Sequence, residues 1–295
     1  MEEVIVDTVL SATRAEGISS ASHIQSLWSG YGEIVRLELR GGDFPSVILK
    51  HIKLPEAGDH PRGWNTDVSH QRKIHSYQVE AHWNQSYAQL CDMHCPVPTC
   101  LAVHATENET LLLLTDLDAA GFNLRKERVE LEDIHACLDW LASFHAIFLN
   151  SSGRGLWECG TYWHLDTRPD ELAALNDKTL QQAAPLIDQR LRQCSFQTLV
   201  HGDAKLANFC FTAAVPATRV AAVDFQYVGR GCGMKDVAYF IGSCLDEEDC
   251  EAMESALLEY YFTALARQIG ERHPAVDVVQ LEAQWRDLYD CLLYT

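Results

Sequence analysis

The pattern of apolar and polar positions divides the chain into a strand-rich first part and a mainly helical remainder. Strands are predicted where β-branched runs or short apolar alternation occur, over 24–39 with an interruption at Ser29–Gly32, and over 46–52, 97–104 and 110–116. Residues 69–92 carry apolar side chains at helical spacing without Pro or Gly, which predicts a helix. A loop rich in Pro, Gly and Asp is predicted at 55–67.

The second part of the chain, after Gly121, has helical periodicity. Helices are predicted over 130–149 and 170–193 and through most of the chain from 236, and short strands over 198–200 and 220–223. This order predicts an α+β fold with a small β-rich lobe at 1–116 and a larger, mainly helical lobe at 117–295.

Composition and charge narrow the classes of function. The 295 residues are 47% hydrophobic and 22% charged, which is typical of a globular protein and excludes a disordered chain. Lys and Arg number 23 against 42 Asp and Glu, so the net charge of −19 repels phosphate backbones and anionic lipids. Nucleic acid and membrane are therefore not expected as partners. Residues 1–20 show no export signal, so the 11 cysteines are expected to be reduced thiols in the cytoplasm.

The most informative stretch follows the first short strand of the second part. There the strand runs into His201-Gly-Asp203, and Asn208 comes five residues after Asp203. Asp224-Phe-Gln follows the next short strand, sixteen residues after Asn208. This spacing resembles the catalytic and metal-binding loops of the kinase fold. The plainer alternative, a turn in which Asp and Asn only act as turn formers, does not explain the second motif at this distance.

The particular form of these motifs resembles the aminoglycoside phosphotransferase and choline kinase superfamily, where His-Gly-Asp stands in place of His-Arg-Asp. The segments that resemble its ecdysteroid-kinase-like branch are Asp224-Phe-Gln, Gly229-Arg-Gly, Asp236-Val-Ala-Tyr-Phe, Leu113–Leu117 and Leu141–Ala146. The resemblance covers about residues 25–265. It implies a protein-kinase-like two-lobed fold that moves the γ-phosphate of ATP to a hydroxyl of a small molecule, with a nucleotide-binding first lobe and a catalytic, acceptor-binding second lobe.

Phosphoryl transfer needs a carboxylate beside the attacking hydroxyl and oxygen ligands that hold Mg²⁺ against the phosphates. The resemblance implies that Asp203 is the catalytic base. It implies that Asn208, through its amide oxygen, and Asp224, through its carboxylate, are the Mg²⁺ ligands. The positions fit these roles, because Asp203 and Asp224 each stand at the end of a predicted strand.

Five further residues receive nucleotide-binding roles from the resemblance. Lys50 matches the lysine that pairs with the α and β phosphates, and Glu80 matches the helix glutamate that orients it. Backbone groups at Thr115 and Leu117 would bind adenine, and Lys205 would face the transferred phosphate. For Lys50, Glu80 and Lys205 the alternative is an ordinary solvated surface residue.

Other interpretations stay open for two segments and for the activity itself. Ser29–Gly32 matches the place of a phosphate-covering loop, or is an ordinary hairpin turn. Aromatic residues within 160–169 line the acceptor pocket or belong to the core. A catalytically silent nucleotide-binding module on the same fold is the alternative to an active kinase. A protein kinase is disfavoured by the His-Gly-Asp form, and no feature of the sequence selects the acceptor.

Overall fold

The computed structural model describes residues 2–27, 30–53, 67–106, 108–162, 164–213 and 217–292. The chain packs as two compact units: Met1–Gln89 with Val97–Asn123, and Leu90–Pro96 with Leu124–Thr295. The loop predicted at 55–67 lies outside the described residues except for its last residue, Asp67, which begins a helix. The functional division between residues 116 and 117 stays a prediction.

The first unit is built on a five-stranded antiparallel sheet. Its strands are β1 (Gly17–Ser26), β2 (Gly32–Arg40), β3 (Ser46–Lys53), β4 (Cys100–Ala105) and β5 (Glu109–Thr115). They lie side by side in the order β1-β2-β3-β5-β4. The helices of this unit are α1 (Glu3–Thr13) and α2 (Asp67–Ser86). The β-branched and apolar run of β3 thus becomes the middle strand of the sheet, where both of its faces are covered.

The alternation of side chains along β3 decides where Lys50 points. Val47 and Leu49 belong to a hydrophobic cluster that includes residues of α1. Ile52 belongs to a second cluster, which contains Tyr77 of α2. Because alternate residues of a strand face opposite sides of the sheet, Lys50 shares the α2 side with Ile52.

The second unit consists mainly of helices. They are α3 (Leu131–Ile147), α4 (Pro169–Ala174), α5 (Lys178–Arg192), α6 (Met234–Cys244), α7 (Glu247–Arg272) and α8 (Val278–Leu292). Two short antiparallel pairs complete the unit, β6 (Thr198–Val200) with β9 (Gly229–Gly231) and β7 (Phe209–Phe211) with β8 (Val220–Ala222). A sheet-based unit and a helical unit confirm the predicted α+β class. Across the described ranges, no helix has both the length and the apolar character that crossing a membrane requires.

The short segment Leu90–Pro96 packs with the second unit, although the chain on either side of it belongs to the first. The carbonyl oxygen of Pro96 accepts the indole N–H of Trp140 at 2.9 Å and the amide of Ala222 at 3.2 Å. Trp140 is only 1% exposed, so its N–H depends on a protein partner. The segment is therefore a structural part of the helical unit.

Two differences from the predicted elements have physical reasons. Helix α1 is absent from the prediction because it buries only one narrow stripe, Ile5, Val9 and Thr13, and its other apolar residues lie outside that stripe. The helix predicted over 170–193 is interrupted between α4 and α5. There the carboxylate of Asp177 accepts the amides of Thr179 and Leu180, at 2.8 Å and 3.0 Å, and starts a new helix.

Candidate active site

Lys50 forms a buried ion pair with Glu80 inside the first unit. Its ammonium donates to both carboxylate oxygens of Glu80, at 2.8 Å and 2.7 Å. The two residues are 5% and 4% exposed. Neither charge could be buried here without the other, because an unpaired charge in this environment is costly. This excludes the solvated alternative for both residues, whereas their role toward phosphates stays a prediction.

Asp116 lies between the two residues that are predicted to contact adenine, and it is buried. Its carboxylate accepts hydrogen bonds from Arg36 Nε and from Ser46 Oγ, each at 2.7 Å. Burial raises the pKa of Asp116, but the hydrogen bonds from Arg36 and Ser46 outweigh it and hold the pKa below its ordinary value. The charged carboxylate thus ties the chain between Thr115 and Leu117 to strands β2 and β3.

The backbone at Thr115 and Leu117 is already partly hydrogen-bonded. The amide of Thr115 donates to the carbonyl of Thr99 at 3.0 Å. The carbonyl of Leu117 accepts the amide of Phe122 at 2.9 Å. If adenine binds at Leu117 as predicted, the contact there would therefore use its N–H, since the carbonyl serves the local turn.

The loop after β6 holds Asp203 in a buried position. Gly202 has a φ of 82°, and a Cβ added there would lie 2.1 Å from the carbonyl oxygen of Tyr227, so the loop requires glycine. Asp203 is 6% exposed. Its Oδ2 accepts hydrogen bonds from Lys205 Nζ at 2.9 Å and from Asn208 Nδ2 at 3.0 Å. Three of the predicted site residues are thus in direct contact.

Asp236, the third residue of α6, stabilises this loop by accepting hydrogen bonds from its backbone. Its carboxylate accepts the amides of His201 and Gly202, at 2.6 Å and 2.9 Å. The same carboxylate lies 3.1 Å from Nε2 of His145, whose Nδ1 lies 2.7 Å from the Tyr261 hydroxyl. Because Asp236 is 1% exposed, these groups are its hydrogen-bonding environment in place of water.

The imidazole of His201 is used for structure inside the same loop. Its Nδ1 accepts the amide of Asp203 at 3.3 Å, so Nε2 carries the proton and donates to the carbonyl of Val223 at 3.0 Å. The ring is fully buried against Phe225. Both nitrogens are thus hydrogen-bonded to the main chain, which holds the loop against the end of β8.

Replacing Asp236 by Asn is expected to lower the free energy of unfolding by about 3 kcal/mol. An amide would turn its NH₂ group toward one of the two backbone donors and leave that N–H buried without an acceptor. Urea unfolding would measure the loss, with Asp290→Asn on the exposed surface as the matched control, expected to change stability by less than about 0.5 kcal/mol. A loss for Asp236→Asn as small as the control's would contradict the bracing role.

The hairpin of β7 and β8 brings Asn208 and Asp224 to the same end. Phe209 pairs with Ala222, and the carbonyl of Asn208 accepts the amide of Val223 at 3.0 Å. The Asn208 Nδ2 donates to Asp203, which directs the amide oxygen elsewhere. Asp224 is half-buried and has a φ of 69°, a left-handed conformation that is uncommon outside glycine and concentrates at functional sites.

A cavity of about 580 Å³ in the second unit borders the Asp203 loop. Gly202 and Tyr239 form the part of its wall next to Asp203. Most of the remaining wall is apolar, and includes Leu165, Leu172, Leu175, Leu180, Ile187 and Leu191. Burial raises the pKa of Tyr239, and hydrogen bonds with Tyr162 and Asp203 raise it further, so its hydroxyl stays protonated and donates.

Five of the eight predicted site residues form two groups of direct contacts in the described structure. In the first unit, Lys50 contacts Glu80. In the second unit, Asp203 contacts Lys205 and Asn208. The predicted phosphate-covering loop Ser29–Gly32 lies partly outside the described residues, because Ser29 is not among them.

Sequence reasoning missed the contacts of Arg36, Ser46 and Tyr239. Tyr239 left a usable signal, since it follows Asp236 by three residues and therefore shares its face of helix α6. Arg36 and Ser46 left none. Their partner Asp116 is 80 and 70 positions away, and the sheet register alone brings them together.

Comparison with known proteins gives a family and a fold. The model of the Ecdysteroid kinase-like family matches residues 78–151 and 158–271. A microcompartment-associated aminopropanol kinase is similar in structure, with 15% sequence identity and a TM-score of 0.54, over 99% of this chain and 88% of that chain. At this identity the likeness shows the fold alone.

Two aminoglycoside phosphotransferases also match in structure. For the aminoglycoside-3'-phosphotransferase of type VIII, the identity is 17% and the TM-score 0.48, over 92% of this chain and 93% of that chain. For a thermostable mutant of APH(4)-Ia in a ternary complex with ADP and hygromycin B, the values are 13% and 0.49, over 97% and 98%. No curated protein matches the sequence.

Proposed function

Since the chain belongs to the ecdysteroid kinase-like family, a kinase-like family of small-molecule phosphotransferases, we propose that it moves the γ-phosphate of ATP to a hydroxyl group of a small molecule. The observation that carries the proposal is the Asp203 carboxylate, buried and hydrogen-bonded beside a cavity large enough for a small molecule. A carboxylate in this position can accept the proton of an attacking hydroxyl.

The contacts of Asp203 suit a catalytic base. Lys205 and Asn208 both donate to Oδ2, which fixes the orientation of the carboxylate. In our proposal Oδ1 accepts the proton of the acceptor hydroxyl. Tyr239, protonated beside the carboxylate, would help to place that hydroxyl.

The wall of the cavity favours a bulky, mostly apolar alcohol as the acceptor. The charged side chains along the wall are paired with each other or with neighbours, as in Arg168 with Glu171 at 2.8 Å and Asp188 with Arg192 at 2.6 Å. A polycationic acceptor would need carboxylates whose charge is not already balanced in this way. Leucine and tyrosine side chains instead offer apolar area, with the tyrosine hydroxyls as polar anchors.

Nucleotide binding is proposed for the residues of the first unit. The Lys50 ammonium, held by Glu80, would bind the α and β phosphates, and the main chain at Thr115 and Leu117 would contact adenine. Lys205, which is partly exposed in the second unit, would face the transferred phosphate. These positive groups offset the repulsion that ATP meets from a protein of net charge −19.

Mg²⁺ fits the donor set at the end of the β7–β8 hairpin. The amide oxygen of Asn208 and the carboxylate of Asp224 are hard oxygen ligands of the kind that this ion prefers. The Asn208 amide nitrogen is engaged with Asp203, so its oxygen would be the ligand. The bound ion would neutralise charge on the phosphate oxygens.

The proposal is tested by nucleotide binding and by ADP release from the purified chain. Thermal unfolding with ATP and MgCl₂ should raise Tm, and a panel of hydroxyl compounds should reveal acceptor-dependent ADP release. The panel pairs apolar alcohols with amino alcohols of similar size, and the apolar members are expected to be the better acceptors. Nucleotide binding without ADP release from any acceptor would favour the alternative, a catalytically silent module. Release with amino alcohols alone would contradict the acceptor class.

A further inference from the structure

A second polar cluster lies outside the proposed catalytic residues and touches the same cavity. It contains the thiol of Cys159, the imidazole of His164 and the carboxylate of Asp188, whose nearest donor atoms all lie within 4.8 Å of one another. The ammonium of Lys235 donates to Cys159 Sγ at 3.1 Å. Asp188 and Lys235 both line the cavity, so Cys159 lies one side chain behind its wall.

Arg192 fixes the tautomer of His164. One of its guanidinium nitrogens lies 2.7 Å from Nε2 of the imidazole. Because a guanidinium can only donate, Nε2 must accept, and the ring proton is therefore on Nδ1. A hydrogen bond with His164 lowers the pKa of the Cys159 thiol. Sγ thus has two polar neighbours, the Lys235 ammonium at 3.1 Å and the imidazole of His164.

These two neighbours favour the ionised form of the thiol. Burial alone raises the pKa of Cys159, but the hydrogen bond with His164 and the charge of Lys235 outweigh it and bring the pKa below its ordinary value. Nearby carboxylates do not cancel this effect, because Asp188 and Asp166 are both bound by Arg192, at 2.6 Å and 2.7 Å. A thiolate is the nucleophilic form of cysteine.

The same contacts disfavour a metal ion at this cluster, although Cys, His and Asp are all metal-ligating residues. The Lys235 ammonium and the Arg192 guanidinium hold the atoms that a metal would need. Two fixed positive charges also repel a further cation. The Lys235 ammonium instead stabilises a negative charge on the sulfur of Cys159.

We propose that Cys159 is a nucleophilic thiolate beside the apolar cavity, and that it is modified by apolar, soft carbon electrophiles of the α,β-unsaturated carbonyl class. The cavity would collect such compounds by burying their apolar surface. Sγ forms a bond to the β-carbon, the π electron pair of the C=C bond moves to the α-carbon, and the α-carbon takes a proton from water. No oxidant or reductant is needed, and the product is a thioether.

N-ethylmaleimide, which carries the activated double bond of this class, tests the proposal on the folded chain at neutral pH. Peptide mass mapping would follow labelling of each cysteine with time. Cys250 is the internal control, because it is more exposed than Cys159 but has a pKa raised by burial and by nearby carboxylates. Cys159 is expected to react at least about tenfold faster than Cys250. Equal or slower labelling of Cys159 overturns the proposal.

Lys235→Met separates the effect of the cation from simple access to the thiol. The variant should lower the labelling rate of Cys159 by about tenfold and leave that of Cys250 unchanged. A faster labelling rate at Cys250 would show that the variant is partly unfolded. In that case the ultraviolet thiolate absorbance of Cys159→Ser is compared with that of the unmodified chain. A lower absorbance in Cys159→Ser shows that Cys159 is ionised, and an equal absorbance overturns the proposal. Because labelling is read by mass, the result does not depend on kinase activity.

Discussion

Replacing Asp203 by Asn is expected to lower kcat for phosphoryl transfer by a factor of about 10² to 10⁴ while nucleotide affinity changes only a few-fold. The amide has almost the shape of the carboxylate and can keep a hydrogen bond from Lys205 or Asn208, but it cannot accept a proton. The loss should therefore appear in the chemical step. ADP release with a saturating acceptor and calorimetric titration of ATP with Mg²⁺ measure the two quantities.

Asp7→Asn is the matched control, because it makes the same change at an exposed carboxylate of helix α1. It should leave kcat and nucleotide affinity unchanged. Equal turnover in Asp203→Asn and the unmodified chain would refute the role of Asp203 as base. A parallel loss of nucleotide affinity would instead show that Asp203 acts mainly in binding.

Lys50→Met is expected to have two large effects. It leaves the Glu80 carboxylate buried without its cation, which should cost about 3–5 kcal/mol of unfolding free energy. It also removes the ammonium that is proposed to bind the phosphates, so ATP affinity should fall. Urea unfolding and nucleotide titration measure the two effects independently.

The double variant Lys50→Met with Glu80→Gln separates stability from binding. Without a buried charge on either side, most of the lost stability should return, whereas ATP affinity should stay low. Lys53→Met is the matched control, because the Lys53 side chain is 51% exposed in its pair with Glu2, and its loss should cost less than about 1 kcal/mol. Recovery of ATP affinity in the double variant would argue against a phosphate-binding role for Lys50.

The main elements of the fold could be predicted because their periodicities are clear. The apolar run of β3 and the helical spacing of α3 both come from deep burial, which leaves a strong pattern in the sequence. Helix α1 and strand β1 are covered on one side at most, and eight of the ten residues of β1 are exposed. The apolar residues of α1 are spread around the helix and β1 is mostly polar, so periodicity did not reveal α1 and revealed β1 only from residue 24 onward.

The candidate site was predictable where its residues are close in sequence. Asp203, Lys205 and Asn208 stand on one loop, so a short motif could identify all three, and the structure brings them into contact. The pairing of Lys50 with Glu80 followed from the resemblance, since 30 positions separate the two. The Asp116 network and the wall of the cavity depend on residues from several elements, which only the folded chain brings together.

The path of the chain through Leu90–Pro96 limits how the protein can be divided by genetic means. Neither packing unit is one continuous stretch, so no single cut in the gene separates them. A fragment that begins at Leu124 would lack the Pro96 carbonyl, and the Trp140 indole and the Ala222 amide would both lose their acceptor. Any truncated, split or circularly permuted form of the protein would therefore have to keep this short segment together with the helical unit.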